Sequence, residues 1–174
     1  MKLVRWKRFT WDLAQLPPLE EKLPKHYVFR AASRDEYKQV RHLIFTALSL
    51  DTAWSDTLKL FREGLEHQVD HAFSRESVPA IVVTHGPRII AASVISTDAE
   101  SDSQLVTGPC VLSEYCSRGL GTALLHQTLL QLRTAGLKTA AGVTKENTPA
   151  CKFVYPKFGS VSVAYNIDPQ MVTS

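Results

Sequence analysis

The sequence predicts an α/β (α+β) fold, a mixed and mostly antiparallel central sheet of about six or seven strands flanked by helices. Three observations carry that expectation. Apolar residues recur at helical spacing in two successive segments after Ser33, runs rich in Ile and Val flank a tight turn at His85-Gly86-Pro87, and a later strand gives way through two glycines to an apolar helix. Such a sheet binds ligands at the carboxyl ends of its strands, above all where a helix starts beside a strand that parts from its neighbour.

Residues 1–26 carry Pro17, Pro18 and Pro24 in a charged stretch and are expected to form an extension, an edge strand followed by a linker into a domain spanning 27–174. Lys2, Arg5, Lys7 and Arg8 alternate there with Val4, Trp6 and Phe9, the pattern of a solvated edge strand. Tyr27 to Phe29 form a short strand that leads to Ser33 and Glu36, spaced as a helix capping box. Tyr37, Val40, Ile44 and Ala47 mark one helix; Leu58, Phe61, Leu65, Val69 and Ala72 mark a second. Ala80–Thr84 and Arg88–Ile95 form a hairpin, and Gln104–Leu112 a further strand after the polar loop Thr97–Ser103. Gly119–Arg133 is a helix stopped by Gly136, Lys138–Val143 a buried strand, Pro149 to about Lys157 a short helix and Val161–Ile167 a final strand.

Composition sets the class. With 174 residues, of which 44% are apolar, the chain fits one compact domain, and a net charge of +3 without a basic face argues against nucleic acid as a partner. Charges interrupt every apolar run near the start, so neither a secretory core nor a membrane span is expected. Cys110, Cys116 and Cys151 have no metal-like or framework spacing and are expected to be free thiols in a cytoplasmic protein. His67 and His71 stand four apart on the second helix without an evident third ligand, so a solvated face is the expectation and no metal is called for.

The chemistry is concentrated in Val111-Leu112-Ser113-Glu114-Tyr115-Cys116-Ser117-Arg118-Gly119-Leu120-Gly121-Thr122. Backbone N–H groups in a helix's first turn lack internal partners and sit at the positive end of its dipole, so a diphosphate can satisfy several together. Gly119 and Gly121 let the backbone approach the phosphates, Arg118 can add charge from the rim, and Ser117 and Thr122 offer hydroxyls. No lysine follows Gly121, as a P-loop needs, and Leu124 stands where a dinucleotide fingerprint places its third glycine or alanine.

Cys116 to Gly121 resembles motif A of the GNAT (GCN5-related) superfamily of acetyl-CoA-dependent N-acetyltransferases, whose pattern is Arg or Gln, two residues, Gly, any residue, then Gly or Ala. Tyr155-Pro156-Lys157-Phe158-Gly159 resembles the family's later Tyr-x-Lys-x-Gly signature, and Asn147 and Ala150 match positions commonly filled before it. In element order the resemblance covers roughly 27–167, with its specific motifs in 111–159. Three departures stand out: Cys116 replaces the leading Arg or Gln, Asn147 and Tyr155 are eight residues apart where seven are expected, and room for only one strand follows the last helix. The strand within residues 1–12, or a second subunit in a homodimer, is expected to cover the sheet edge left open.

The resemblance implies a GNAT fold and direct attack of an amine on acetyl-CoA, the acceptor being a small molecule or a peptide. Pantetheine would lie along the backbone of Cys110, Val111 and Leu112; the diphosphate would meet Ser117 to Thr122; Asn147 would help to hold the cofactor. Tyr155 is the candidate acid for the departing thiolate. Glu114, His85 and the loop carboxylates Asp98, Glu100 and Asp102 remain open as the base. Cys116, near a helix N-terminus that favours a thiolate, admits a covalent acyl-cysteine route as a minor alternative. A domain of the same fold that holds acyl-CoA without turnover is the competing function.

Overall fold

The structure, a computed structural model, describes residues 4–20 and 25–166. Lys2, Pro24 and Ile167, named above, lie outside the described residues. The strands are β1 (Trp6–Asp12), β2 (Tyr27–Ala31), β3 (Ala80–His85), β4 (Arg88–Val94), β5 (Cys110–Val111), β6 (Thr139–Lys145) and β7 (Val161–Tyr165). The long helices are α1 (Tyr37–Leu50), α2 (Ser55–Arg75) and α3 (Leu120–Thr134). Strand pairing is antiparallel and gives two sheets, ordered β2-β3-β4-β5 and β6-β1-β7. Among the described residues no helix is long and apolar enough to cross a membrane.

Local chemistry fixes the ends. Glu36 accepts the Ser33 N–H at 3.0 Å and pairs with Arg30 at 2.7 Å, closing one side of the expected capping box and starting the turn that runs into α1. The Arg30 guanidinium holds the Glu36 carboxyl down at about 2. Gly86, at φ +61°, makes the β3–β4 turn.

α1 packs on β4 and β5 and also meets α2, while α3 packs on β3 and β4. The four-stranded sheet and its helices share one core, with Val40, Ile44, Val69, Ile90 and Leu124 buried. A second core joins the three-stranded sheet to α3 through Phe9, Trp11, Leu13, Leu129 and Leu132.

The basic stretch expected on an edge is the middle strand of its sheet, paired with β6 on one side and β7 on the other. Its aromatic residues explain the placement. Trp6 meets Trp54 and Phe61 at 5.7 and 5.2 Å between ring centroids, whereas Phe9 and Trp11, on the opposite face, meet Tyr155 at 5.4 and 5.9 Å. A strand that buries large side chains on both faces belongs inside a sheet. Its cations fit because Lys7 and Arg8 are only half-buried and Arg8 donates to the Asp102 carbonyl at 2.7 Å.

The segment Gln104–Leu112, expected as one strand, pairs as a strand only at Cys110–Val111, with two isolated bridges at Leu105, to Ile95 and to Gly142. Gly108 at φ +65° turns the chain and Pro109 has no N–H to give, so regular pairing lapses between them. The short helix Ala150–Val154 is a π-turn. On β7, the free edge carries Val161 and Val163 at 68% and 56% exposure, leaving an apolar strip in solvent.

Because β1 has partners on both sides, proline at Thr10 removes a ladder bond whichever way that N–H points. We expect Thr10→Pro to cost about 1–3 kcal/mol and to lower the melting temperature by about 2–12 °C. Thermal denaturation followed by circular dichroism measures it, and a shift under about 2 °C is the result an edge strand would give.

Candidate active site

The two sheets meet along one seam and then part. At the closed end the Gln104 and Leu105 N–H groups both donate to the Ala141 carbonyl, at 2.9 and 3.1 Å, and Leu105 bridges Gly142 in parallel. The Gln104 side chain completes the closure: its carbonyl accepts the Ala141 N–H at 2.7 Å, and its amide donates to the Asp98 and Ser101 carbonyls. Toward the carboxyl ends β5 pairs only with β4, and β6 only with β1, so a cleft opens between Cys110–Leu112 and Thr144–Lys145. The Leu112 N–H donates to Ile90 on the β4 side at 3.0 Å; strand alternation therefore turns the Val111 N–H and C=O into the cleft.

Where β5 ends, a single 3₁₀ turn at Ser113–Tyr115 leads into the glycine turn and α3. Gly119 caps α3 at φ +77°, and Ser117 is left-handed at φ +64°. Among the described residues, the backbone N–H groups of Ser117, Arg118, Gly119, Leu120, Gly121 and Thr122 have no hydrogen-bond acceptor. Ser117, Arg118 and Gly119 are exposed, and Leu120 and Thr122 turn their side chains into the core. The corner is thus open, and its donors converge at the positive end of a helix whose other face is anchored.

Arg118 is held to the outer side of this turn. It donates to the Tyr27 hydroxyl at 3.0 Å and to the Glu114 carbonyl at 3.3 Å, and it lies 5.4 Å from the Tyr115 ring centre. Cys116 is exposed, but partial burial, followed by the nearby Asp51 charge, raises its thiol pKa. That direction runs against the thiolate that the acyl-cysteine alternative requires. Burial pushes the Cys110 thiol up to about 12. Asn147, exposed at φ +68°, follows β6 on the far side of the cleft from Cys110–Leu112.

Tyr155 lies beneath the point where the sheets part, 3% exposed, against Phe9 and Trp11. A Cβ at Gly108 would come within 1.8 Å of its hydroxyl oxygen, and one at Gly142 within 3.1 Å of its ring. Burial raises the phenol pKa, so the group stays protonated through neutral pH. The extra residue between Asn147 and Tyr155 is taken up by the π-turn, in which the Tyr155 N–H reaches back five residues to the Ala150 carbonyl at 2.9 Å. Such a turn adds one residue without rotating the next turn of chain out of phase. Trp11 secures the segment from below by donating its indole N–H to the Lys157 carbonyl at 2.9 Å.

Of the groups left open as bases, His85, Glu114, Asp98 and Asp102 have partners within the protein. His85 meets the Tyr115 hydroxyl at 3.0 Å, and Glu114 pairs with Arg88 at 3.1 Å. Asp98, Glu100 and Asp102 belong to the loop beside the closed end of the seam, where Asp98 accepts the Glu100 N–H and Asp102 the Tyr165 hydroxyl. Asp98, Glu100 and Asp102 are exposed, and the loop is anchored at its start by Glu76, which accepts from both the N–H and hydroxyl of Thr97. His67 and His71 are both exposed, and among the described residues no group of three or more metal-capable side chains includes them. The roles of Gln104, Gly108 and Gly142 were not foreseen; a glycine before Pro109 and another inside an apolar strand were the signals available.

Gly108→Ala is expected to destabilise the fold by about 2–4 kcal/mol, from overpacking and the left-handed backbone together. In the double variant with Tyr155→Phe, which deletes the oxygen nearest the new methyl group, part of that loss should return. Chemical denaturation of the four proteins measures the coupling; strict additivity would show that the hydroxyl is not packed against Gly108.

The Acetyltransferase (GNAT) family model matches residues 42–159, more than half of the chain. Among solved structures the chain is similar to a GCN5-related N-acetyltransferase from Sphaerobacter thermophilus, at 14% identity and TM-score 0.60, covering 94% of this chain and 50% of that one. It is also similar to a GNAT-family acetyltransferase from Colwellia psychrerythraea, at 14% identity and TM-score 0.61 over 93% and 54% of the two chains. A GCN5-related N-acetyltransferase from Kribbella flavida gives 13% identity and TM-score 0.56 over 93% and 58%. The chain thus spans little more than half the length of these structures, and no curated protein is similar enough to count as a match. With its helix-flanked sheets parted beside a glycine turn of unpaired amides, the chain belongs to the GNAT acetyltransferase family.

Proposed function

We propose that this chain is an N-acetyltransferase that moves the acetyl group of acetyl-CoA to a primary amine by direct attack. The observation that carries this reading is the run of unpartnered amides from Ser117 to Thr122 at the mouth of the cleft. Those donors suit a diphosphate, and the edge of β5 that faces the cleft suits a pantetheine arm laid along it. Asn147, across the cleft, is the proposed contact on the β6 side.

Tyr155 is the proposed acid. Burial keeps its phenol protonated, so the hydroxyl can donate a hydrogen bond to the sulfur as negative charge builds there; an alkyl thiol, with a pKa of about 8.5, is the stronger acid, so a proton passed to sulfur must be replaced on the phenol from the amine or solvent. The Val111 N–H is the proposed donor to the thioester carbonyl, supplying charge stabilisation where the tetrahedral oxygen forms. A non-catalytic acyl-CoA sensor is the second reading, favoured by the enclosure of Tyr155 and by the cysteine at position 116.

Two experiments test this reading. Acetyl-CoA and CoA are expected to raise the melting temperature where ATP and NAD do not. Gly121→Asp is the discriminating variant, because a Cβ there meets nothing nearer than 3.9 Å and an acidic residue in the first turn favours the helix. It should leave the free protein as stable or more stable, by about 0.3–1 kcal/mol, yet weaken CoA binding at least about tenfold, or about 1.4 kcal/mol, through repulsion of the phosphates. Unchanged affinity would remove the phosphate assignment. For turnover, Tyr155→Phe should lower kcat about a hundredfold or more with acetyl-CoA affinity retained, measured as thiol release across an amine panel; binding without release in the wild type would favour the sensor.

A further inference from the structure

One carboxylate that was not among the bases considered from sequence lies in the short connection between α1 and α2. α1 packs on β4 and β5, which form one wall of the cleft. The connection between the helices is fastened to the other wall: Lys145, the last residue of β6, donates to the Ala53 carbonyl, and the Trp54 ring meets Trp6, the register partner of Lys145 on β1. Residues 51–54 therefore cross from one sheet to the other at the open end of the seam.

Asp51 stands at the β5 end of this crossing. Its carbonyl accepts the Trp54 and Ser55 N–H groups at 3.0 and 2.9 Å, and its Oδ1 accepts the Ala53 N–H at 2.9 Å, which fixes the side chain. Among the described residues, Oδ2 has no hydrogen-bond or ion-pair partner, and the residue is only half-buried. It lies near enough to Cys110, on the cleft wall, and to Cys116, in the following turn, for its charge to act on both thiols. The other carboxylates considered, on Glu114, Asp98, Glu100 and Asp102, lie beside Arg88 or at the closed end of the seam.

Resting on the acetyltransferase reading above, we propose that Asp51 binds the acceptor as an alkylammonium ion over the thioester, so that the substrates are cationic aliphatic primary amines rather than uncharged arylamines. An ammonium with a pKa of about 10.4 gives one proton to Oδ2, directly or through water, and becomes the nucleophile. Its lone pair forms the C–N bond, the C–S bond breaks with its electron pair on sulfur, and the second nitrogen proton leaves as the amide forms. Sulfur takes one proton to give the free thiol, and one is released to solvent.

Asp51→Asn tests the assignment because asparagine keeps the oxygen that accepts from Ala53 and loses only the charge. Acetyl transfer to 1,4-diaminobutane and to aniline, which is uncharged at neutral pH, would be measured for both proteins, together with acetyl-CoA affinity and the melting-temperature shift given by 1,4-diaminobutane in saturating CoA. The proposal expects aniline to be a poor acceptor for both proteins, kcat/KM for the diamine to fall at least tenfold in the variant, the diamine's thermal shift to disappear, and acetyl-CoA affinity to stay within about twofold. It is overturned if the diamine is used equally well by both proteins, if the wild type uses aniline as well as the diamine, or if the wild type binds acetyl-CoA yet shows neither turnover nor a thermal shift with the diamine. Absence of acetyl-CoA binding in the wild type is a separate outcome, which removes the cofactor reading and this proposal with it.

Discussion

A seam that closes at one end and is prevented from closing at the other organises this protein. Backbone groups buried without partners are costly, so adjacent strands normally pair along their full length. Here Gln104 and Leu105 bind β6, after which Gly108 and Pro109 turn the chain away and interrupt the pairing. What remains is a strand with one edge spent on β4 and the other facing an opening, next to a helix start whose amides are also free. Both sets of unpaired donors are tolerated because they reach solvent, and both are satisfied at once by an extended ligand that ends in a diphosphate.

The second sheet gives the opening its floor. β1 supplies Phe9 and Trp11 beneath Tyr155, and the indole of Trp11 holds the end of the segment that carries that tyrosine. Gly108 leaves room for the tyrosine hydroxyl, and Gly142 for the Leu105 side chain first and the tyrosine ring second. An aromatic side chain with its polar end at the apex of the opening is thus fixed by the central strand of one sheet and by glycines on both sides of the seam.

Most of the element order and the glycine turn were legible in the sequence, since helical periodicity, a hairpin turn and paired glycines are local signals. The position of β1 was not. Alternating Lys and Arg suggested a solvated edge, whereas Trp6, Phe9 and Trp11 required cover on two faces, and only the tertiary partners decide which pattern prevails. The surplus residue before Tyr155 looked like a break in a helical signature, because a π-turn differs from an α-turn in hydrogen bonding and leaves no compositional mark. Asp51, between two helical patterns, carries no motif of its own. Its nearness to Cys110, and the tie between neighbouring Ala53 and Lys145, come from packing between elements far apart in sequence, which periodicity within one element does not record.

The placement of β1 also constrains how the molecule comes together. During synthesis from the amino end, Trp6, Phe9 and Trp11 emerge long before β6 and β7, between which they finally lie, and three large aromatics must wait in solvent or in transient company. The four-stranded sheet, whose strands are contributed by nearer segments, can assemble first, leaving the long-range docking of β1 as the late and slow event. The cleft is bounded by both sheets, so it cannot exist until that last strand is in place.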